Sequence, residues 1–188
     1  MAFYFALVLF SVLTLSAAWN VPLPGGRQVS FVDGILRIQL EDTTNLPKMP
    51  PPDTTISQTT LGSIKVQDTG SRKGFGSFCL FPLPQDEFLG FYEGKVIISL
   101  NGLPNTEYIM SLDGGVTFLD GFQRAQDRTI FSPVHLNHED KGNPGCNCLR
   151  ILDDNRVAFF TARPIEMGEE LCFDYGGSYW QGREETKI

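Results

Sequence analysis

Ala162-Arg163-Pro164-Ile165-Glu166-Met167-Gly168-Glu169-Glu170-Leu171-Cys172-Phe173-Asp174-Tyr175-Gly176 decides how the rest of the chain is read. It lies close to the C-terminus and ends on Gly-Glu-Glu-Leu-x-Phe-Asp-Tyr-Gly. Working outward, Leu136-Asn137-His138 precedes it, followed after a loop by Cys146-Asn147-Cys148. Further upstream stand Gly90-Phe91-Tyr92-Glu93-Gly94 and Lys73-Gly74-Phe75-Gly76. Taken singly these are bland. A lone Gly-x-Gly is usually hairpin punctuation, Asn-His reads as a capped turn, and a single tyrosine is usually a core or rim aromatic. Their order and spacing carry the information.

Composition sets the class. The chain has 188 residues, with 15 Lys+Arg against 22 Asp+Glu, a formal charge of −7. Hydrophobic residues at 41% exclude a fully disordered chain. The acidic balance argues against direct nucleic-acid binding, which needs a basic face to displace counterions. Gly 19 and Pro 12 predict a turn-rich, mainly β architecture. Four cysteines are too few to replace a core with disulfides.

Residues 1–18 carry no charged side chain, and Ser16-Ala17-Ala18 offers small residues at a cleavage site. This is the layout of a signal peptide without a basic n-region, too short for a stable membrane span. Secretory routing is expected. Trp19-Asn20-Val21-Pro22 resembles the bipartite plastid leader of algae with secondary plastids, and a nuclear or cytoplasmic location follows if the leader is not used. The expected organisation is 1–18 leader, 19–63 hairpin and Pro/Thr-rich linker, 64–182 the main domain, and 183–188 tail. Val29 to Leu40 reads as two strands around Asp33-Gly34. Glu41 to Thr60 reads as an extended loop. Strands are expected at Ile64–Val66, Phe75–Leu80, Phe88–Ile98, Tyr108–Leu112, Val116–Leu119 and Arg156–Thr161, and helix only at Gln123–Thr129 and after Tyr179.

No Ser/His/Asp triad, P-loop or dinucleotide fingerprint is present, and the neighbouring His135 and His138 exclude a dispersed His-based set. His135, His138, Cys146 and Cys148 read as H-x2-H-x7-C-x-C, a spacing unlike the usual zinc sets, so no metal is expected. Cys146 and Cys148 are poorly spaced for a mutual disulfide, and Cys79 and Cys172 read as buried thiols.

In order and spacing, these motifs resemble the SET domain family of protein-lysine methyltransferases, over Ile64 to about Trp180. Tyr108-Ile109-Met110-Ser111-Leu112-Asp113 and Asp120 fit the same pattern. The resemblance implies a compact SET-domain (β-clip) fold of small sheets with a C-terminal pseudoknot. It implies S-adenosyl-L-methionine as cofactor and a protein or peptide presenting lysine as substrate. Gly74, Phe75, Gly76, Asn137, His138 and Tyr175 would bind cofactor. Tyr175 and Tyr92 would be catalytic. Tyr92, Tyr108 and Phe173 would line the lysine channel as a cation–π environment, with Phe173 lacking a hydroxyl and leaving room for more than one methyl. A free lysine has pKa about 10.4, so presenting it neutral near pH 7.5 costs about 4 kcal/mol. A desolvated channel facing a sulfonium lowers that cost, and no general base is obligatory.

The chain departs from the family at Val134-His135-Leu136, where Arg-Phe-Ile is usual, and at Glu139-Asp140, where Ser-Cys is usual. No post-SET cysteine cluster follows Trp180. The alternative expectation is therefore a degenerate SET module that binds a peptide or protein without transferring methyl groups.

Overall fold

The computed structural model describes residues 19–22, 28–32, 35–39, 46–112, 116–153, 155–181 and 183. The expected leader, the Asp33-Gly34 turn and Asp113 lie outside the described residues. Two compact units are present, residues 1–46 and residues 47–188.

The first unit is an antiparallel sheet of β1 (Trp19–Pro22), β2 (Gln28–Val32) and β3 (Ile35–Gln39), in that order. Val32 pairs with Ile35, the register a two-residue connection allows. β1 is a third strand that the hairpin reading does not include.

The second unit begins at Pro47, upstream of the expected start at Ile64. The expected loop ends in a helical turn, α1 (Gln58–Gly62), because the Ser57 hydroxyl accepts from the Thr60 N–H at 3.0 Å and caps it. Thr60 is buried and its hydroxyl donates to Glu87, while Ile56 packs on the core. The main-domain strands follow. β4 (Ile64–Asp68) pairs with β5 (Phe75–Cys79). The expected strand Phe88–Ile98 is divided into β6 (Phe88–Phe91) and β7 (Lys95–Ile97). The break falls where Gly94 lies against the Asp120 backbone, so closely that a Cβ would sit 2.8 Å from the Asp120 carbonyl oxygen. β8 (Ile109–Ser111) and β9 (Phe118–Asp120) complete a small sheet in the order β7-β9-β8.

The expected helix over Gln123–Thr129 is one turn, α2 (Phe122–Ala125). The Asp127 carboxylate accepts from both the N–H and the hydroxyl of Thr129 and turns the chain away. A 3-10 turn, Pro133–His135, leads into β10 (Asn137–His138). β11 (Cys148–Asp153) and β12 (Arg156–Thr161) join β6 in the order β11-β12-β6. β12 is the central strand of that sheet and is buried from Val157 to Thr161, which is why its Val-Ala-Phe-Phe run does not alternate with polar residues. β13 (Cys172–Phe173) and α3 (Gly177–Trp180) follow, the helical turn starting before Tyr179 rather than after it. Strands dominate and helices are few and short, as the composition and the motifs imply.

The 162–176 stretch enters this core from two sides. Leu171 N–H donates to the Ser77 carbonyl on β5 at 2.7 Å. β13 pairs in parallel with β10, setting Asn137 beside Cys172 and His138 beside Phe173. Asn147 ties the third side, donating from Nδ2 to the Glu170 carbonyl and accepting on Oδ1 from the Cys172 N–H, at 2.8 and 2.9 Å. It is 1% exposed. Replacing Asn147 with Ala would leave two buried backbone groups without their partner, an expected loss of about 2–4 kcal/mol. Urea denaturation of the variant checks this, and an unchanged midpoint would remove Asn147 from the tie.

Candidate active site

β10 and β13 bring the widely separated sequence motifs to one cavity of about 910 Å³. Phe75, Tyr92, Tyr108, Asn137, His138, Phe173 and Tyr175 all line it. Gly74 and Gly76 do not; they shape the strand beneath it. Gly74 has φ +71°, in the left-handed region that favours glycine. Gly76 is held by contact: an added Cβ would collide with Glu170 Oε1 and sit 2.7 Å from Asn137 Nδ2, so both side-chain ends would have to shift. The bare backbone there leaves room for Asn137 Nδ2 to donate to the Phe75 carbonyl at 3.1 Å and to Glu170 Oε1 at 2.7 Å.

Tyr175 lies among rings. Its centroid is 4.8 Å from Phe173, 5.2 Å from His138 and 4.7 Å from Tyr179, and Trp180 stacks on it within 9° of parallel. Its hydroxyl donates to the Leu136 carbonyl at 2.8 Å, just before Asn137. Burial pushes the phenol pKa well up, so the group is a neutral donor at physiological pH. The Tyr92 hydroxyl donates to the Tyr108 carbonyl at 2.9 Å, and burial raises its pKa as well. Tyr92 is thereby a fixed wall of the cavity. Tyr108 is half-buried on the opposite end of that bond, its pKa also raised by burial. Ser111 Oγ, on β8 and lining the cavity, is buried without a hydrogen-bond partner.

The two departures beside Asn137 each meet specific neighbours in the fold. His135 is buried, and burial followed by the charge of Arg124 lowers its pKa. A neutral ring results, with Nδ1 accepting from the Ser132 N–H at 3.3 Å and Nε2 buried without a hydrogen-bond partner. Glu139 lies 3.8 Å from Lys73 Nζ and accepts from Asn143, so its carboxylate has local counter-groups. Lys73 also donates to the His138 carbonyl at 3.2 Å.

Among the described residues, His138, Asp140 and Asp174 are the one group of three metal-capable side chains close together. His138 Nδ1 accepts from the Tyr175 N–H at 3.2 Å, and Nε2 faces Asp140 Oδ1 at 3.1 Å. Asp174 accepts from the Gly176 N–H, a structural role. The cysteines are free, and burial raises the pKa of each, to about 11 for Cys79 and about 12 for Cys172. They are poor nucleophiles near neutral pH.

The SET domain family model matches residues 74–176, more than half of the chain. The chain belongs to the SET domain family. Among curated SET proteins, the histone-lysine N-methyltransferase MEDEA of Arabidopsis thaliana is 27% identical over 127 residues, covering 61% of this chain and 18% of that protein. The histone-lysine N-methyltransferase mes-2 of Caenorhabditis elegans is 27% identical over 115 residues, 56% of this chain and 14% of that one. This SET chain thus spans less than a fifth of the length of those relatives. Among solved structures, a Chaetomium thermophilum polycomb repressive complex 2 superposes with TM-score 0.46 at 21% identity, over 60% of this chain and 15% of the other. KRYPTONITE in complex with mCHH DNA, an H3(1–15) peptide and SAH gives the same score and identity, over 60% and 23%.

Sequence reasoning missed Asn147, Glu170 and the cationic side chains Arg72, Arg128, Arg150 and Arg183 as site-forming residues. Glu170 and Asn147 stood inside quoted motifs, a signal that was available. The cations are scattered along the chain, and only folding brings them to one cavity.

Proposed function

We propose that this SET domain transfers methyl groups from S-adenosyl-L-methionine to the ε-amine of protein lysine. The observation that carries the reading is the Tyr175 hydroxyl, held on the Leu136 carbonyl in a cavity walled by Tyr92, Tyr108 and Phe173. The residues present fit the cofactor. Gly76 keeps the backbone bare beside Asn137, and Ser111 Oγ is an orphaned buried polar atom on the cavity wall. Asn137, Phe75 and the His138 backbone would hold the cofactor, which supplies a methyl group on a sulfonium when bound. Rings would surround the lysine stem and exclude water, favouring the neutral amine over the ammonium. The Tyr175 hydroxyl would orient the amine, a positioning contribution that needs no general base.

A degenerate, peptide-binding module is the competing reading. His135 and Glu139 were its support, and the neutral buried ring of the first and the Lys73 contact of the second remove much of it. Calorimetric titration of S-adenosyl-L-methionine into the chain separates the two. Saturable one-to-one binding that is lost in Asn137→Ala is expected. A well-folded protein that binds no cofactor would establish the module instead.

A further inference from the structure

The chain carries a net charge of −7, yet its cavity is lined by Arg72, Lys73, Arg128, Arg150 and Arg183 against the single carboxylate of Glu107 among the described residues. Among the described residues of the second unit, three arginines that do not line the cavity are matched with acids: Arg124 with Glu93, Arg156 with Asp153, and Arg163 with Glu169. Among the described residues no carboxylate lies within 4 Å of Arg72, Arg128 or Arg150. Lys73 has Glu139 at 3.8 Å, so the charge left open within the cavity is that of Arg72, Arg128 and Arg150.

Three of these cations stand on the cavity's rings. The Arg128 guanidinium lies 3.7 Å over the Phe75 ring. Arg150 lies 5.9 Å from the centre of the Phe173 ring. Its hydrogen-bond acceptor is the Met110 thioether at 3.3 Å, a weak partner, while the nearby Asp174 carboxylate accepts from the Gly176 N–H. Arg183 lies 4.6 Å from the Tyr179 ring and donates to the Thr106 carbonyl at 3.0 Å. Arg128 and Arg150 are exposed to the opening. Clefts lined by one sign of charge focus their field on incoming ligands.

We infer that this site selects a lysine flanked by acidic side chains, with Arg128 and Arg150 as specificity-determining residues that receive the flanking carboxylates. The inference rests on reading the cavity as a lysine-substrate site. A lysine set among arginines and lysines would bring like charge to the same guanidinium groups, at a cost that discriminates between substrates. A carboxylate could also come from the cofactor's amino-acid end, so the test separates these sources.

The experiment uses two labelled lysine peptides, identical except that one is flanked by Asp and Glu and the other by Arg and Lys. Binding is followed by fluorescence anisotropy with S-adenosylhomocysteine at saturation, and methyl transfer to each is measured in parallel. The acidic peptide is expected to bind about tenfold tighter at low salt, with the gap closing towards 1 M salt as the screening length falls to about 3 Å. Arg150→Glu and Arg128→Glu, at exposed positions, are each expected to narrow or invert the ranking. Equal binding, tighter binding of the basic peptide, or binding of neither overturns the inference. So does a charge reversal that weakens S-adenosylhomocysteine binding but leaves the ranking intact, which would assign these cations to the cofactor alone. Acidic preference without transfer of methyl to either peptide would sink the methyltransferase reading and uphold acidic recognition. Transfer without acidic preference would do the reverse.

Discussion

Tyr175→Phe is expected to reduce methyl transfer by about 10²- to 10³-fold, the scale on which single preorganised donors at reacting centres act. The substitution removes one oxygen and leaves the ring in its place among Phe173, His138, Tyr179 and Trp180. The Leu136 carbonyl loses its donor, which costs about 1 kcal/mol of stability and does not unfold the domain. The affinity for S-adenosylhomocysteine should stay close to that of the parent protein, because the loss falls on positioning of the amine. Single-turnover transfer to a lysine peptide, alongside calorimetry with S-adenosylhomocysteine, measures both quantities. A variant that transfers at the parent rate would show that the hydroxyl does no more than tie β13 to the chain before Asn137.

Gly76→Ala is expected to weaken cofactor binding at least about tenfold and to destabilise the fold by about 1–3 kcal/mol, the usual cost of overpacking a filled site. The new methyl would press on Glu170 Oε1, on Asn137 Nδ2 at 2.7 Å and on Thr69 Cγ2 at 3.0 Å. Both the amide and the carboxylate that meet above Gly76 would have to move, and the Asn137 amide would leave the Phe75 carbonyl. Gly74→Ala is the matching control. Space is open around Gly74, but its φ of +71° strains any L-residue, so stability should fall by about 1–2 kcal/mol with cofactor affinity retained. Thermal denaturation and cofactor titration of the two variants check the contrast. Parent-like affinity in Gly76→Ala would remove the Asn137 amide from the cofactor site.

Much of the fold was legible because its strands announce themselves locally. Arg156–Thr161, with β-branched and aromatic residues, and Phe75–Cys79, with Phe75 and Phe78, are short apolar segments bounded by turn residues, and both form strands. The 47–63 segment was not legible as part of the main unit. Its prolines suppress any periodic signal, while its attachment depends on Thr60 reaching Glu87, on Ile56 entering the core and on Arg156 donating to the Pro50 carbonyl. The division of Phe88–Ile98 was hidden for a similar reason: the contact of Gly94 with Asp120 spans two strands.

The sequence by itself determined the membership and the chemistry on offer. The order of Gly74-Phe75-Gly76, Asn137-His138 and Phe173-Asp174-Tyr175 is a local, one-dimensional property that survives without any knowledge of contacts. Only the tertiary structure decided what surrounds those residues. Whether His135 is charged depends on its burial and on Arg124, and whether Glu139 stands alone depends on Lys73, on the far side of the chain's order. The cationic lining depends on the same thing, because Arg72, Arg128, Arg150 and Arg183 share a cavity without sharing a motif. Charge acts through space, over distances that sequence separation does not report.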